Sequence, residues 1–182
     1  ITNQNDTMPS LEAVLDTNFW LATHVTIINI GYAAGMLAAA LSHVFIIGRL
    51  FRYKKDDPAY YRGITRMVYG VTCFGLLFAF VGTVLGGIWA NYSWGRFWGW
   101  DPKENGAALI CVCQIAMLHA RLGGYLKQMG LHIAALFTGC VVGFSWWGVN
   151  LLGVGLHSYG FTEGIWNATY AFWTVEAVTM VL

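Results

Sequence analysis

The stretch Trp94-Gly-Arg-Phe-Trp-Gly-Trp-Asp-Pro-Lys-Glu104 packs three tryptophans and four charged residues into eleven positions, between two runs almost free of charge. Its last four residues can do a structural job. Asp101 suits a helix N-cap, Pro102 the first helical position, and Glu104 completes a capping box. The indoles of Trp94, Trp98 and Trp100, with Trp89 just before them, need another reason. Membrane interfaces use tryptophans as scattered anchors, which accounts for Trp20 and Trp166 but poorly for three in seven positions. A packed aromatic shelf suits a flat, apolar, polarisable ligand, and Arg96 and Lys103 in the same loop could pair with its carboxylates.

Five histidines add a second kind of chemistry, because a neutral imidazole nitrogen is a ready metal ligand. His24 and His43 are nineteen residues apart, roughly 28 Å along a helix, too far to share one ion. His119 lies roughly 27 Å of helix beyond Asp101, at a depth similar to His43. His132 opens the next apolar run and His157 follows its far end. The histidines therefore sort into an outer pair, His24 and His157, and an inner group, His43, His119 and His132. Two histidines from different segments at one depth are what a six-coordinate haem requires, since the porphyrin leaves two axial positions to the protein. The competing reading of the outer pair is a set of interfacial histidines bonded to water or headgroups. His132 is read as interfacial, and spacing leaves His43 and His119 undecided.

The elements that must position these groups are membrane helices. The chain of 182 residues is 57% hydrophobic and 10% charged, against about a quarter charged in a soluble domain. Runs near the roughly 20 residues needed to cross a bilayer occur at Trp20–Gly48, Met67–Ala90, Asn105–Ala120, Leu131–Leu156 and Ile165–Leu182. The expectation is an all-α, polytopic membrane helix bundle, about five transmembrane helices in this portion, forming one membrane domain over 1–182. The first residue is Ile1, and the reading is the carboxy-terminal core of a longer polypeptide. Its first nineteen residues hold Asp6, Glu12 and Asp16 without Lys or Arg, unlike a signal peptide.

Arg49, Arg52, Lys54, Lys55, Arg62 and Arg66 sit between the first two spans, and Arg121 and Lys127 between the third and fourth. The positive-inside rule makes those loops cytoplasmic and turns the amino-terminal stretch, the loop at about 91–104 and the loop Gly153–Gly164 outward. A net charge of +1 suggests neither nucleic acid nor an acidic partner, and the apolar composition makes the lipid bilayer the partner. Cys73, Cys111, Cys113 and Cys140 read as small core residues. Glycines four apart at 31 and 35, 82 and 86, and 139 and 143 read as helix-packing positions.

The tryptophan-rich stretch resembles the WWD signature of the haem-handling cytochrome c assembly family, and within it the CcsA/ResC type of the System II pathway. "NFWLATHV" ending at Val25, "MLHAR" around His119 and "GVNLLGVGLHSYG" around His157 extend the likeness from about Asn18 to Gly160. The resemblance implies a haem exporter and cytochrome c synthase, a haem lyase, in the inner membrane of a bacterium or the equivalent thylakoid membrane. It implies haem b as the bound group, held by His24 and His157 as axial ligands and cradled by Trp94, Trp98, Trp100 and Asp101. His119 resembles the histidine of an inner haem site, whose partner the resemblance puts upstream and for which His43 is a weaker lead. Apocytochrome c, through its CxxCH segment, and a ResB-type membrane protein are the implied partners. The alternatives are a System I haem-handling protein, a b-type membrane anchor of a respiratory enzyme, and an unrelated transporter using histidines as a proton relay.

Overall fold

A computed structural model describes residues 18–157 and 164–182. The acidic amino-terminal stretch and residues 158–163, part of the expected outer loop and of the motif around His157, lie outside the described residues. Five α-helices follow one another: α1 (Asn18–Leu50), α2 (Pro58–Trp94), α3 (Pro102–Leu122), α4 (Gln128–Trp146) and α5 (Ile165–Val181), with a 3-10 helix at Gly148–Leu152 between the last two. There is no strand among the described residues. α1 to α4 are each long and apolar enough to cross a membrane. α5, at 17 residues, stands at the lower limit of roughly 17 to 25.

Burial runs opposite to that of a water-soluble domain. Leu37, Val44, Phe74, Leu77, Phe80 and Val112 are exposed, whereas Ser42, Thr65, Thr72, Gln114 and His132 are inside. Lipid tails solvate the former, and the bundle interior shelters the latter. The core threonines satisfy their own hydroxyls by bonding back one turn, Thr65 to Tyr61 and Thr72 to Val68.

α1 packs along α2 and α4, and α4 in turn holds α3 and α5. The glycine spacings make this possible. A Cβ on Gly31 would stand 2.6 Å from the Ala79 backbone nitrogen, and one on Gly82 2.8 Å from the Ile28 backbone. Either would force α1 and α2 apart.

The turns after α1 and α3 collect the basic residues and define a cationic end. Asp57 caps α2 there by accepting from the Tyr60 amide, with Pro58 opening the helix, so α2 begins well before the expected Met67. At the opposite, tryptophan-rich end, α2 stops at Gly95 in a left-handed conformation, φ 70°. The expected span Leu131–Leu156 is corrected: α4 ends at Trp146. Beyond it the 3-10 helix buries Val149 and Leu151, and Gly153 and Gly155 take left-handed backbone. Apolar composition made the two look continuous, although only the first part is a span.

Two further expectations change. His132 is not interfacial but fully buried, with Nδ1 3.0 Å from Ser42 Oγ, Nε2 3.1 Å from Thr65 Oγ1, and its ring stacked on Phe45. Of the cysteines, Cys111 is core, but Cys73 is exposed on the bundle surface; all four are free thiols.

Candidate functional site

The tryptophan-rich end is built around one carboxylate. Asp101 caps α3 by accepting the Lys103 amide at 2.8 Å, and Glu104 returns the capping box by accepting the Asp101 amide at 3.1 Å. The second oxygen of Asp101 accepts the backbone amides of Leu156 at 2.6 Å and His157 at 3.4 Å, while Oδ1 lies 3.2 Å from His157 Nδ1. One side chain thus starts α3 and fastens a loop 55 residues further on. Gly155 permits that closure, since its φ is +87° and a Cβ there would collide with Asp101 Oδ2.

His24, on the first turns of α1, faces His157 across the end of the bundle. Its Nδ1 is 2.7 Å from the Gly82 carbonyl of α2, and Gly86 leaves room for the ring, because a Cβ there would stand 2.6 Å from its Cε1. The Gly82/Gly86 spacing therefore does more than pack helices. A carbonyl only accepts, so Nδ1 of His24 carries the hydrogen and Nε2 keeps its lone pair. The Asp101 carboxylate, 3.2 Å from His157 Nδ1, favours a hydrogen on that nitrogen. An acceptor on one nitrogen sets the tautomer of a metal-binding imidazole.

Burial moves the His157 imidazole below its ordinary value, against the opposing pull of Asp101. Burial pushes Asp101 up, but the Lys103 amide, the His157 ring and the backbone amides of His157 and Leu156 outweigh it and hold the carboxyl below its usual range. Neutral imidazole beside ionised carboxylate is the state these shifts favour.

Both histidines line one cavity of about 200 Å³. Trp98, Glu104 and Lys103 line it with them, and so do Phe97, Tyr32 and Trp146. No motif in the sequence singles out these last three. Gly87 was a usable signal for Phe97, because a Cβ there would meet the ring at 2.5 Å. Trp89 is buried behind the cavity and meets Trp94 edge-on at 4.6 Å, and Trp94 meets the His157 ring edge-on at 4.9 Å. Trp89 and Trp94 therefore brace the histidine.

Trp100 is not brought into the lining. Its indole is 76% exposed, meets Trp98 edge-on, and rides on a left-handed backbone, φ 58°. Such a conformation costs a non-glycine residue roughly 1 to 2 kcal/mol. Arg96 is also outside the lining, with its guanidinium 2.9 Å from Glu104 Oε1; Glu104 also accepts the Gly99 amide. Lys103 differs. Among the described residues its Nζ donates to two neutral acceptors, the Trp146 carbonyl at 2.8 Å and Asn150 Oδ1 at 3.1 Å, in the cavity wall. His119 lies far from this end, exposed on α3 with Nδ1 2.8 Å from the Ile115 carbonyl.

A family described as Cytochrome C assembly protein matches residues 6–157. The chain belongs to that family. Membership ties it to cytochrome c biogenesis, and the matched span reaches from before α1 through His157. The chain is also similar to proteins named cytochrome c biogenesis protein CcsA. The one from Chlamydomonas reinhardtii is 40% identical over 147 residues, covering 78% of this chain and 41% of that protein. Those from Cuscuta exaltata and Nicotiana tomentosiformis are 31% and 30% identical, covering 78% and 81% of this chain and 54% and 57% of theirs. The chain spans about half the length of these relatives. In this cytochrome c assembly protein, the motif residues carried by the resemblance separate: His24, His157 and Trp98 line the cavity, Asp101 and Trp94 stand behind it, Trp100 lies outside, and His119 is far away on α3.

Proposed function

We propose that this chain receives haem as cargo at its tryptophan-rich end, holds the iron between His24 and His157, and presents the ring for covalent attachment to the CxxCH segment of an apocytochrome c. The observation that carries this reading is the pair of imidazoles lining one cavity, His24 with Nδ1 bonded to the Gly82 carbonyl and His157 with Nδ1 3.2 Å from Asp101 Oδ1. His24 Nε2 is then a ready metal ligand, and His157 lines the same cavity. The aromatic lining of Trp98, Phe97, Tyr32 and Trp146 suits the flat ring, and Trp89 and Trp94 keep His157 from turning. Attachment needs no acid–base residue from this chain: each thiol adds across a vinyl double bond, sulfur to one carbon and hydrogen to the other. The chain's contribution is to hold and orient. Asp101 stays ionised and keeps His157 aimed, while burial keeps the ring neutral.

Lys103 supplies the site's cation. Two of its three N–H groups are spent on neutral partners, which leaves one for a propionate. A charge-assisted bond of this kind contributes about 1.5 to 3 kcal/mol, so Lys103→Ala is expected to weaken haem retention roughly 10- to 100-fold, measured as haem per protein after purification. Arg96→Ala acts indirectly, by loosening Glu104, and is expected to lose less.

Because burial lowers His157, the ligating form outlasts an ordinary imidazole as pH falls. The six-coordinate absorption is expected to persist from neutral pH down past about 6.5 and to fade only below it. A midpoint above that value contradicts the assignment.

The same reading gives His119 a place in an inner haem site with a partner from a longer chain, and joins the protein to a ResB-type membrane protein in a bacterial inner or thylakoid membrane. The test is co-expression of the full-length protein, with its partner, and a CxxCH acceptor. Covalently bound haem on the acceptor supports the synthase reading; bound haem that never transfers would instead make the chain a b-type anchor.

A further inference from the structure

Toward the cationic end, α5 brings Glu176 into the interior against His43 of α1. Glu176 is 2% exposed, and its Oε2 lies 3.7 Å from His43 Nε2. Neither atom has a hydrogen-bond partner elsewhere among the described residues. The other ring nitrogen, Nδ1, is 3.0 Å from the Ala39 carbonyl. A carbonyl can only accept, so Nδ1 carries the hydrogen, and a neutral His43 presents a bare Nε2 to Glu176. Facing an ionised carboxylate, that nitrogen would set lone pair against lone pair beside an uncompensated charge away from water. One proton between the two atoms removes both problems, as Glu–OH to Nε2 or as imidazolium to carboxylate.

We propose that His43 and Glu176 together bind a single proton inside the membrane, and that this shared proton ties α5 to α1. Among the described residues no other charge is ion-paired with either group. From α4 the Cys140 thiol faces Glu176, while the buried His132 is turned to Ser42 and Thr65, and Trp173 of α5 donates its indole N–H to the Cys140 carbonyl rather than to the carboxylate. No Lys or Arg forms an ion pair with Glu176 among the described residues. Nor do the described residues offer a group of three or more His, Cys, Asp or Glu that could hold a metal ion. Gly139 lets the three helices close here, since a Cβ on it would stand 2.7 Å from Ala39 Cβ and 3.6 Å from Glu176 Oε1. The inference is independent of the haem reading.

The test is magnetic resonance of the full-length protein in bilayers, labelled at histidine nitrogen and glutamate carboxyl, with His43→Gln and Glu176→Gln assigning the signals. Near neutral pH the expected result is one proton on the pair, either imidazolium with carboxylate or neutral ring with protonated acid. Both signals should shift together in one step as pH rises. Glu176→Gln is expected to keep α5 docked, because its amide N–H can donate to Nε2, and to lose the joint step. A neutral His43 opposite an ionised Glu176 near neutral pH, two independent titrations, or survival of the step in Glu176→Gln would each overturn the proposal.

Discussion

Replacing Asp101 with alanine is expected to reduce haem retention at the tryptophan-rich end to near background while the membrane helices stay assembled. Three losses coincide at this residue. The α3 cap disappears, at about 0.5 to 2 kcal/mol. The part-buried amides of Leu156 and His157 lose their acceptor, at the low end of about 1 to 3 kcal/mol for a donor left unmade. The His157 ring loses the carboxylate that fixes its tautomer. Only the first bears on a membrane helix, and α3 remains packed on α2 and α4. Hydrogen exchange should accordingly speed up over residues 147–157 and change little in α1, α2 and α4. Asp101→Asn is expected to fall between, since asparagine caps well but turns an N–H toward the Leu156 amide. Uniformly faster exchange through all helices would mean that Asp101 supports the bundle rather than the histidine loop.

Gly86→Ala is expected to remove His24 from the site without weakening α2. A methyl group there would lie 2.6 Å from the ring carbon Cε1 and 2.8 Å from Nδ1, so the imidazole must leave its bond to Gly82. Alanine is otherwise the better helix residue by about 1 kcal/mol. The signature is normal accumulation and melting with haem retention down at least tenfold. Gly70→Ala is the control, because nothing lies within 4 Å of its Cβ position, and it should leave retention unchanged. Equal retention in Gly86→Ala and Gly70→Ala would separate His24 from the site.

The sequence made the membrane bundle legible because its strongest signals are local. Asp101-Pro102-Lys103-Glu104 is a helix start written in four adjacent residues, and Met67–Ala90 carries no charge to obscure its apolar run. What stayed hidden depends on partners far along the chain. His132 looks interfacial from its position near Lys127, yet Ser42 and Thr65 on two other helices receive its ring nitrogens. Arg96 looked free to meet a carboxylate because Glu104, already assigned to the capping box, did not look like its partner. The end of α4 was missed because residues 147–156 are as apolar as a span, and only the left-handed glycines 153 and 155 interrupt it. Phe97, Tyr32 and Trp146 come from a loop and two helices, so no single window could have grouped them.

Absorption spectra of the full-length protein purified with haem, beside His24→Ala and His157→Ala, bear most directly on the two-histidine clamp. The expected result is a low-spin, six-coordinate spectrum in the unaltered protein that is lost in each single variant, with added imidazole restoring it. Six-coordinate spectra that survive both substitutions would contradict the clamp and send the search for the iron ligands elsewhere in the chain.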